Sequence, residues 1–207
     1  MRTCYPTYIP TLTVSTAAPP HTALVRVTHW INALSFIGLL VSGIGILLAH
    51  PRFYWGETGG LGTPSLFDLP LPFMLGGPSG WGRYLHFQSA WLCVLTGLVY
   101  VVSGIASRHF NQDLLSYSIP QRISYLAVIF VLFPLMIWTG LAMSPAITSV
   151  FPALVTVLGG HQCARTIHFF TALVLLLFVF VHIAMVWRAG FRVRTTAMIL
   201  GHAREGM

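Results

Sequence analysis

Charge is scarce in this chain: only 7% of its 207 residues are Asp, Glu, Lys or Arg, and only four are acidic. A soluble domain of this length cannot do without a charged surface. At 56% hydrophobic residues and a mean hydropathy of +0.78, the chain is read as an integral membrane protein. Carboxylates are missing from every long apolar run, which excludes a di-iron carboxylate bundle. The three cysteines, Cys4, Cys93 and Cys163, stand in no metal-ligand spacing and carry no functional signal. The first 25 residues are polar, hold Pro6, Pro10, Pro19 and Pro20, and lack the basic, apolar, small-residue order of a cleavable signal, so the first span is expected to be retained. No internal repeat is visible. No basic stripe interleaved with aromatics lies on a soluble module, so the net charge of +7 is no nucleic-acid footprint.

What the chain does have is four long apolar windows: Ile31 to Ala49, Leu85 to Ala106, Ile123 to Met143 and Ile167 to Trp187. Each is near the ~20 residues that cross a hydrocarbon core of about 30 Å, and none contains Lys, Arg, Asp or Glu. Barrel strands are about ten residues long and alternate polar with apolar, so the expected fold is all-α, an integral membrane four-helix bundle in contact with lipid. An even number of spans puts both termini on one side. That side would carry Arg2, Arg26, Arg108, Arg122, Arg188, Arg192, Arg194 and Arg204, against Arg52, Arg83 and Arg165 on the other, so both termini are expected to be cytoplasmic. The domain division follows: 1–25 a cytoplasmic polar tail, 26–190 the four-helix unit, 191–207 a cytoplasmic basic tail.

Two loops face outward in this topology. The first, His50 to Gly82, carries Phe53, Tyr54 and Trp55, read as an interfacial aromatic belt in preference to a docking surface. The second, Ser144 to Ala164, includes the apolar stretch Ile147 to Leu158, too short to cross and read as interfacial or re-entrant.

Ionisable side chains inside spans are costly and mark function by default. His168 and His182 lie fourteen residues apart on one run, a step that returns to within roughly 40° of the same helix face and climbs about 21 Å. With alternating span directions, His86 matches His168 at the outer level and His29 matches His182 at the inner level. Two imidazoles facing across a gap at one height can hold a haem iron axially, and bundle cores commonly house such cofactors. A lone histidine could instead hydrogen-bond a neighbouring helix, but four at two matched depths are hard to ascribe to coincidence. Zinc would need three or four ligands converging on one point. His21, His50, His109, His161 and His202 fall in tails or loops and are read as solvated, with His109 and His161 placed to affect proton or quinone chemistry.

A second pattern accompanies the first. Arg26, Arg83 and Arg165 each precede a histidine, His29, His86 and His168, by three residues, which places them on one helix face and one turn nearer the surface. There a guanidinium could grip a haem propionate with two hydrogen bonds. The alternative is an ordinary interfacial anchor. Gly43, fourteen residues beyond His29, could present a bare surface to the outer haem, or simply allow close helix packing.

These residues carry a resemblance. The segment Arg26-Val27-Thr28-His29-Trp30, the His86-Phe87 entry to the second span, and Arg165-Thr166-Ile167-His168-Phe169 with His182 beyond resemble the bacterial cytochrome b561 and nickel-hydrogenase cytochrome b family, over Val25 to Arg194. The resemblance implies a bacterial inner-membrane cytochrome with two b haems that moves electrons between quinone and a redox protein. The stretch His50-Pro51-Arg52-Phe53-Tyr54-Trp55-Gly56, with Gly140-Leu141-Ala142-Met143-Ser144-Pro145, further resembles the branch that accompanies periplasmic molybdopterin oxidoreductases. No fifth span is visible, which points to the four-helix forms.

The expectation is therefore a dihaem electron-transfer subunit. Its haems do no bond chemistry, quinone is the substrate, and a homodimer is allowed for. Two rivals stand beside it: an autonomous oxidoreductase passing electrons from superoxide or another small donor to quinone, and a haem-free transporter or scaffold whose histidines hold protons or ions.

Overall fold

Hydroxyl side chains, which compete with backbone in soluble helices, here close their hydrogen bonds inside the helix that carries them. Thr28, Ser35, Ser42, Thr139 and Thr171 each donate to the carbonyl four residues back, at 2.6–2.8 Å. This satisfies the donor where no water is available. The computed structural model describes residues 22–60, 62–70, 80–107 and 119–201. Arg2, Cys4, His21, Arg108, His109, His202 and Arg204, named above, lie outside the described residues.

The elements run α1 (Ala23–Ala49), β1 (Arg52–Phe53), β2 (Phe67–Asp68), α2 (Gly80–Ala106), α3 (Ile119–Ala127), a π-helical turn (Val128–Leu132), α4 (Phe133–Ala142), α5 (Pro145–Thr148), α6 (Ala153–Thr156), α7 (His161–Arg188) and α8 (Phe191–Leu200). Thr22 caps α1, its hydroxyl accepting from Val25 N–H. Four helical stretches are long and apolar enough to cross a membrane: Ala23–Ala49, Gly80–Ala106, Arg122–Ala142 and His161–Arg188. The protein is a multi-pass helical membrane bundle. The third stretch is one continuous helix whose π turn lies just before Pro134. Proline lacks the N–H that would bond Phe130 and its ring crowds that carbonyl, so a wider turn relieves the clash.

Burial is inverted relative to a soluble bundle. Leu34, Leu98, Leu177 and Phe180 point outward at 57–67% exposure, while the interior positions of the spans include Thr28, Ser35, Ser42, Ser89, Thr139, Thr166 and Thr171 beside small residues such as Ala142 and Ala164. Lipid is as apolar as leucine, so helices meet through small side chains that permit close approach. At Gly38 a methyl group would collide with the Ser89 side chain, which fixes the α1–α2 crossing.

The two ends of the bundle differ. At one, which we call the hairpin end, β1 and β2 pair antiparallel, Arg52 opposite Asp68 and Phe53 opposite Phe67. This hairpin is sewn to the start of α7. Gln162 N–H donates to Gly56 O (3.0 Å), Gly56 N–H meets Cys163 Sγ (3.0 Å), and Thr166 Oγ1 donates to Tyr54 O (3.0 Å). Gly160, with φ +114°, lies so close to Gly56 that a Cβ would sit 2.5 Å from its carbonyl oxygen, so only glycine fits. Of the aromatic trio expected as a belt, Trp55 is exposed, but Phe53 and Tyr54 are buried. Phe53 stacks on Phe67 (centroids 4.7 Å) and packs on Phe169 (4.6 Å). The second loop does not cross. It forms the short helices α5 and α6, which fold over the ends of α4 and α7 around Ala142, Val155 and Ala164, held by Trp138 Nε1–H donating to Leu154 O (3.0 Å).

At the other, terminal end, the basic tail forms α8, which doubles back onto α1. Arg26 Nη1 donates to Ile199 O (3.0 Å) and Trp30 Nε1 to Met198 O (3.2 Å). A cation on the last carbonyls of a helix opposes its dipole favourably. Gly201 ends α8 with φ +85°, and a Cβ there would lie 2.6 Å from the Arg26 guanidinium.

Candidate functional site

The four span histidines meet in two pairs. His86 on α2 faces His168 on α7 at the hairpin end, ring centroids 6.3 Å apart and planes inclined by 59°. His29 on α1 faces His182 on α7 at the terminal end, centroids 6.4 Å apart and planes at 48°. Along α7 the two levels are fourteen residues and so about 21 Å apart. The pairing by depth read from the sequence is the pairing that the structure brings together.

The separations have a chemical meaning. With metal–imidazole bonds of about 2.0 Å, the length typical of zinc, and ring bonds of about 1.33 Å that put each nitrogen about 1.1 Å from its ring centroid, two imidazoles sharing a metal have centroids about 6.3 Å apart. Imidazoles in direct hydrogen bond or stacked contact would sit closer. No group of three or more His, Cys, Asp or Glu side chains gathers among the described residues, so the donor set is two nitrogens per level, which suits an iron whose other positions are filled by a macrocycle.

At the hairpin end, each ring is held by a hydroxyl and a glycine. Ser42 Oγ on α1 lies 3.0 Å from His86 Nδ1, and Thr139 Oγ1 on α4 lies 2.9 Å from His168 Nδ1. Both hydroxyls are fully buried. Each already donates its one proton to its own helix, Ser42 to Gly38 O (2.6 Å) and Thr139 to Leu135 O (2.8 Å). With that proton kept on its own helix the oxygen is placed to accept from imidazole, an arrangement in which Nδ1 carries the ring proton and Nε2 keeps a lone pair for a metal. The next residue in each helix is glycine. A Cβ at Gly43 would lie 3.8 Å from His86 Cε1, and one at Gly140 would lie 3.6 Å from His168 Cε1, so a larger side chain would press on the ring. Gly43 was expected at this level. Ser42, Thr139 and Gly140 were missed as site residues, although the Ser/Thr-Gly dipeptide facing a span histidine was there to be read twice. The dipeptide alone is not sufficient: in Thr96-Gly97 the hydroxyl donates to Asn32 Oδ1 (2.6 Å) and no histidine is involved.

The terminal-end pair is set in aromatics. Trp30 meets His29 edge-on (5.2 Å, 86°), and Phe178 lies nearly parallel to His182 (6.1 Å, 23°). His182 is exposed, and among the described residues no hydrogen bond to it is formed.

The three arginines are differently committed. Arg165 donates to His50 O and lies 4.8 Å over the Phe53 ring. Arg83 is exposed. Among the described residues neither has a carboxylate partner, the one ion pair being Arg52 with Asp68 at 3.5 Å. Arg26 spends Nη1 on α8, while its Nε is buried without a hydrogen-bond partner among the described residues. His50, at the end of α1, has its pKa lowered below 6.5 by burial, then by the Arg165 and Arg83 charges. His161 is exposed at the start of α7.

A helical membrane bundle with imidazoles paired across its interior at metal-sharing distance, one pair held by hydroxyls at Nδ1 and backed by glycine, is the form of a membrane cytochrome. The family model for prokaryotic cytochrome b561 matches residues 20–201, and the chain belongs to that family. It is 30% identical over 213 aligned residues to "Putative protein-methionine-sulfoxide reductase subunit YedZ1" of Azospira oryzae, an alignment covering 88% of this chain and 96% of that protein. Family membership makes the chain a membrane haem b protein of electron transport, and the glycine-backed, hydroxyl-held imidazole pair at the hairpin end fits that group.

Proposed function

We propose that the protein is a dihaem subunit that carries electrons across the membrane between the quinone pool and a redox protein. The observation that supports it is the pair of pairs: two sets of facing imidazoles, 6.3 and 6.4 Å between centroids, at opposite ends of one bundle. In this reading His86 and His168 hold one b haem, His29 and His182 the other, all within the 26–190 unit. A haem with imidazole on both faces has no open coordination position, so it supplies one-electron exchange and no oxygen chemistry. The chain's own residues orient the rings, through Ser42 and Thr139, keep water out, through the lipid-facing leucines and phenylalanines, and supply positive charge. Arg83 and Arg165 serve the carboxylates at the hairpin end, and Arg26 Nε those at the terminal end. Gly43 lies against the ring system of the hairpin-end site.

The arginine imbalance puts the termini in the cytoplasm. The partner then docks at the hairpin end, and a periplasmic oxidoreductase fits, molybdopterin-dependent by the Gly140–Pro145 and His50–Gly56 resemblance. The relative from Azospira oryzae is named as a reductase subunit. The test is a reduced-minus-oxidised spectrum of the purified chain with a haem-to-protein ratio. Two b-type haems per chain is the expected result. A ratio near one ends the dihaem reading, and a colourless preparation with no b-type bands leaves the haem-free transporter. Quinone reduction by superoxide or another small donor that proceeds without any partner would favour an autonomous oxidoreductase.

A further inference from the structure

We infer that Ser42 and Thr139 are positioning residues that tune the hairpin-end haem by accepting the Nδ1 proton of each axial imidazole; the inference rests on His86 and His168 being its ligands. Two facts carry it. The same construction occurs twice, on unrelated helices and with different residues: a fully buried hydroxyl 2.9–3.0 Å from Nδ1, committed as donor to the carbonyl four residues back, followed directly by a glycine under the ring. Second, the construction has no structural need of the histidine. Ser35 and Thr171 satisfy their hydroxyls on their own helices without a hydrogen bond to an imidazole among the described residues, so a serine or threonine in a span is content alone. What the contact adds is on the imidazole side.

That addition has a sign. A ring whose Nδ1–H is drawn toward an acceptor is a more basic ligand through Nε2, and the hydroxyl is a better acceptor because it donates onward to a carbonyl. A more basic pair of ligands favours the oxidised, more positive iron. The two hydroxyls therefore hold the hairpin-end haem at a lower potential than bare imidazoles would. They also favour this tautomer over the one in which Nε2–H would face the metal.

Redox titration of Ser42→Ala, Thr139→Val, Ser42→Thr and Thr139→Ser in the membrane-embedded chain tests this, with His86→Ala as reference for which spectral component belongs to the hairpin end. Ser42→Ala and Thr139→Val should each raise that component's potential, by a roughly tenfold change in the one-electron equilibrium, about 59 mV. The other component should stay in place, and Ser42→Thr and Thr139→Ser should match the parent. The low-spin electron paramagnetic resonance signal of the same component should shift with the potential. Retained haem at an unchanged potential, or equal shifts of both components, overturns the inference. If Ser42→Ala sheds the haem, Ser42→Thr decides: retention shows that the hydroxyl is needed, and loss shows that only the volume mattered and overturns it. If His86→Ala leaves both haems bound, the ligand reading has failed before the tuning is addressed.

Discussion

At the hairpin end both imidazoles are fixed on two sides, by a hydroxyl at Nδ1 and a glycine beneath Cε1, whereas at the terminal end the rings sit among Trp30 and Phe178, with His182 exposed. The separations are nearly equal, 6.3 against 6.4 Å, so equal reach is achieved by unequal means. The hairpin-end site resembles a preformed cage, each ring held at Nδ1 and backed by glycine. The terminal-end site takes its order from ring packing and from the α8 latch on Arg26. On the dihaem reading proposed above, the difference suits two haems of different potential in one small bundle. It also says where substitutions should act alone.

The strongest way to break the comparison is to remove ligands one at a time. His86→Ala or His168→Ala should eliminate one b-type component, and His29→Ala or His182→Ala the other, read as complete loss of that component from the reduced spectrum. If His86→Ala and His29→Ala erase the same component, the levels are wrongly paired and the contrast between the ends dissolves. Next in size is the glycine cradle. A Cβ at Gly140 meets His168 Cε1 in ordinary van der Waals contact, so Gly140→Ala should keep its haem. Gly140→Val adds two methyl groups against the ring and should weaken retention of the hairpin-end haem roughly 10–100-fold, the range for disturbed ligand support. Gly97→Ala, with open space around its Cβ, should change nothing, as competition with a haem-binding apoprotein would show.

Smaller effects should separate the arginines. Removing positive charge near a haem's carboxylates disfavours the reduced state, so Arg83→Gln and Arg165→Gln should lower the hairpin-end potential and leave the other nearly unmoved. A charge-assisted hydrogen bond is worth about 1.5–3 kcal/mol, and each kcal/mol is about 43 mV in a one-electron couple. Arg83 is exposed, and solvent screening places it at the low end, whereas Arg165, stacked on Phe53 and half-buried, should give the larger shift. Equal shifts at both haems, or none, would return these arginines to the role of interfacial anchors.

How much of this could be read from the chain depended on periodicity. Helix number, the two histidine levels and their pairing follow from a fourteen-residue step and from runs without charge, and both are local quantities. Gly43 was legible because it obeys the same step. Thr139 and Gly140 were not, because the rotation of α4 against α7 depends on the π turn before Pro134, and a one-residue change of register there turns another face inward. The burial of Phe53 and Tyr54 was hidden for a similar reason. An aromatic run beside a span looks interfacial until a distant hairpin strand, Phe67, and the Phe169 ring close over it. The α8 latch was hidden too, since nothing local tells a basic tail that its last carbonyls will meet Arg26 and Trp30.

The smallest expected effect concerns proton binding beside the hairpin-end pair. His50 lies outside the span, at the end of α1, where burial, then the Arg165 and Arg83 charges, lower its pKa below 6.5. A lowered pKa means that the folded protein binds this proton less readily than the unfolded chain does. The associated stability is therefore fully present above pH 6.5 and is lost as pH falls from there toward the folded value, because the unfolded state gains protons first. His50 is largely exposed, so solvent screens most of the effect, and acidification from pH 7.5 to 5.5 should lower the melting temperature only slightly. Thermal loss of the haem absorbance, followed in the parent and in His50→Gln, isolates the contribution from every other titrating group. The parent should lose the hairpin-end component earlier at low pH than the variant, with the terminal-end component indifferent to the substitution. If acid shifts both proteins alike, the arginine field at this end is too well screened to matter, and the contrast between the two ends rests on hydrogen bonding alone.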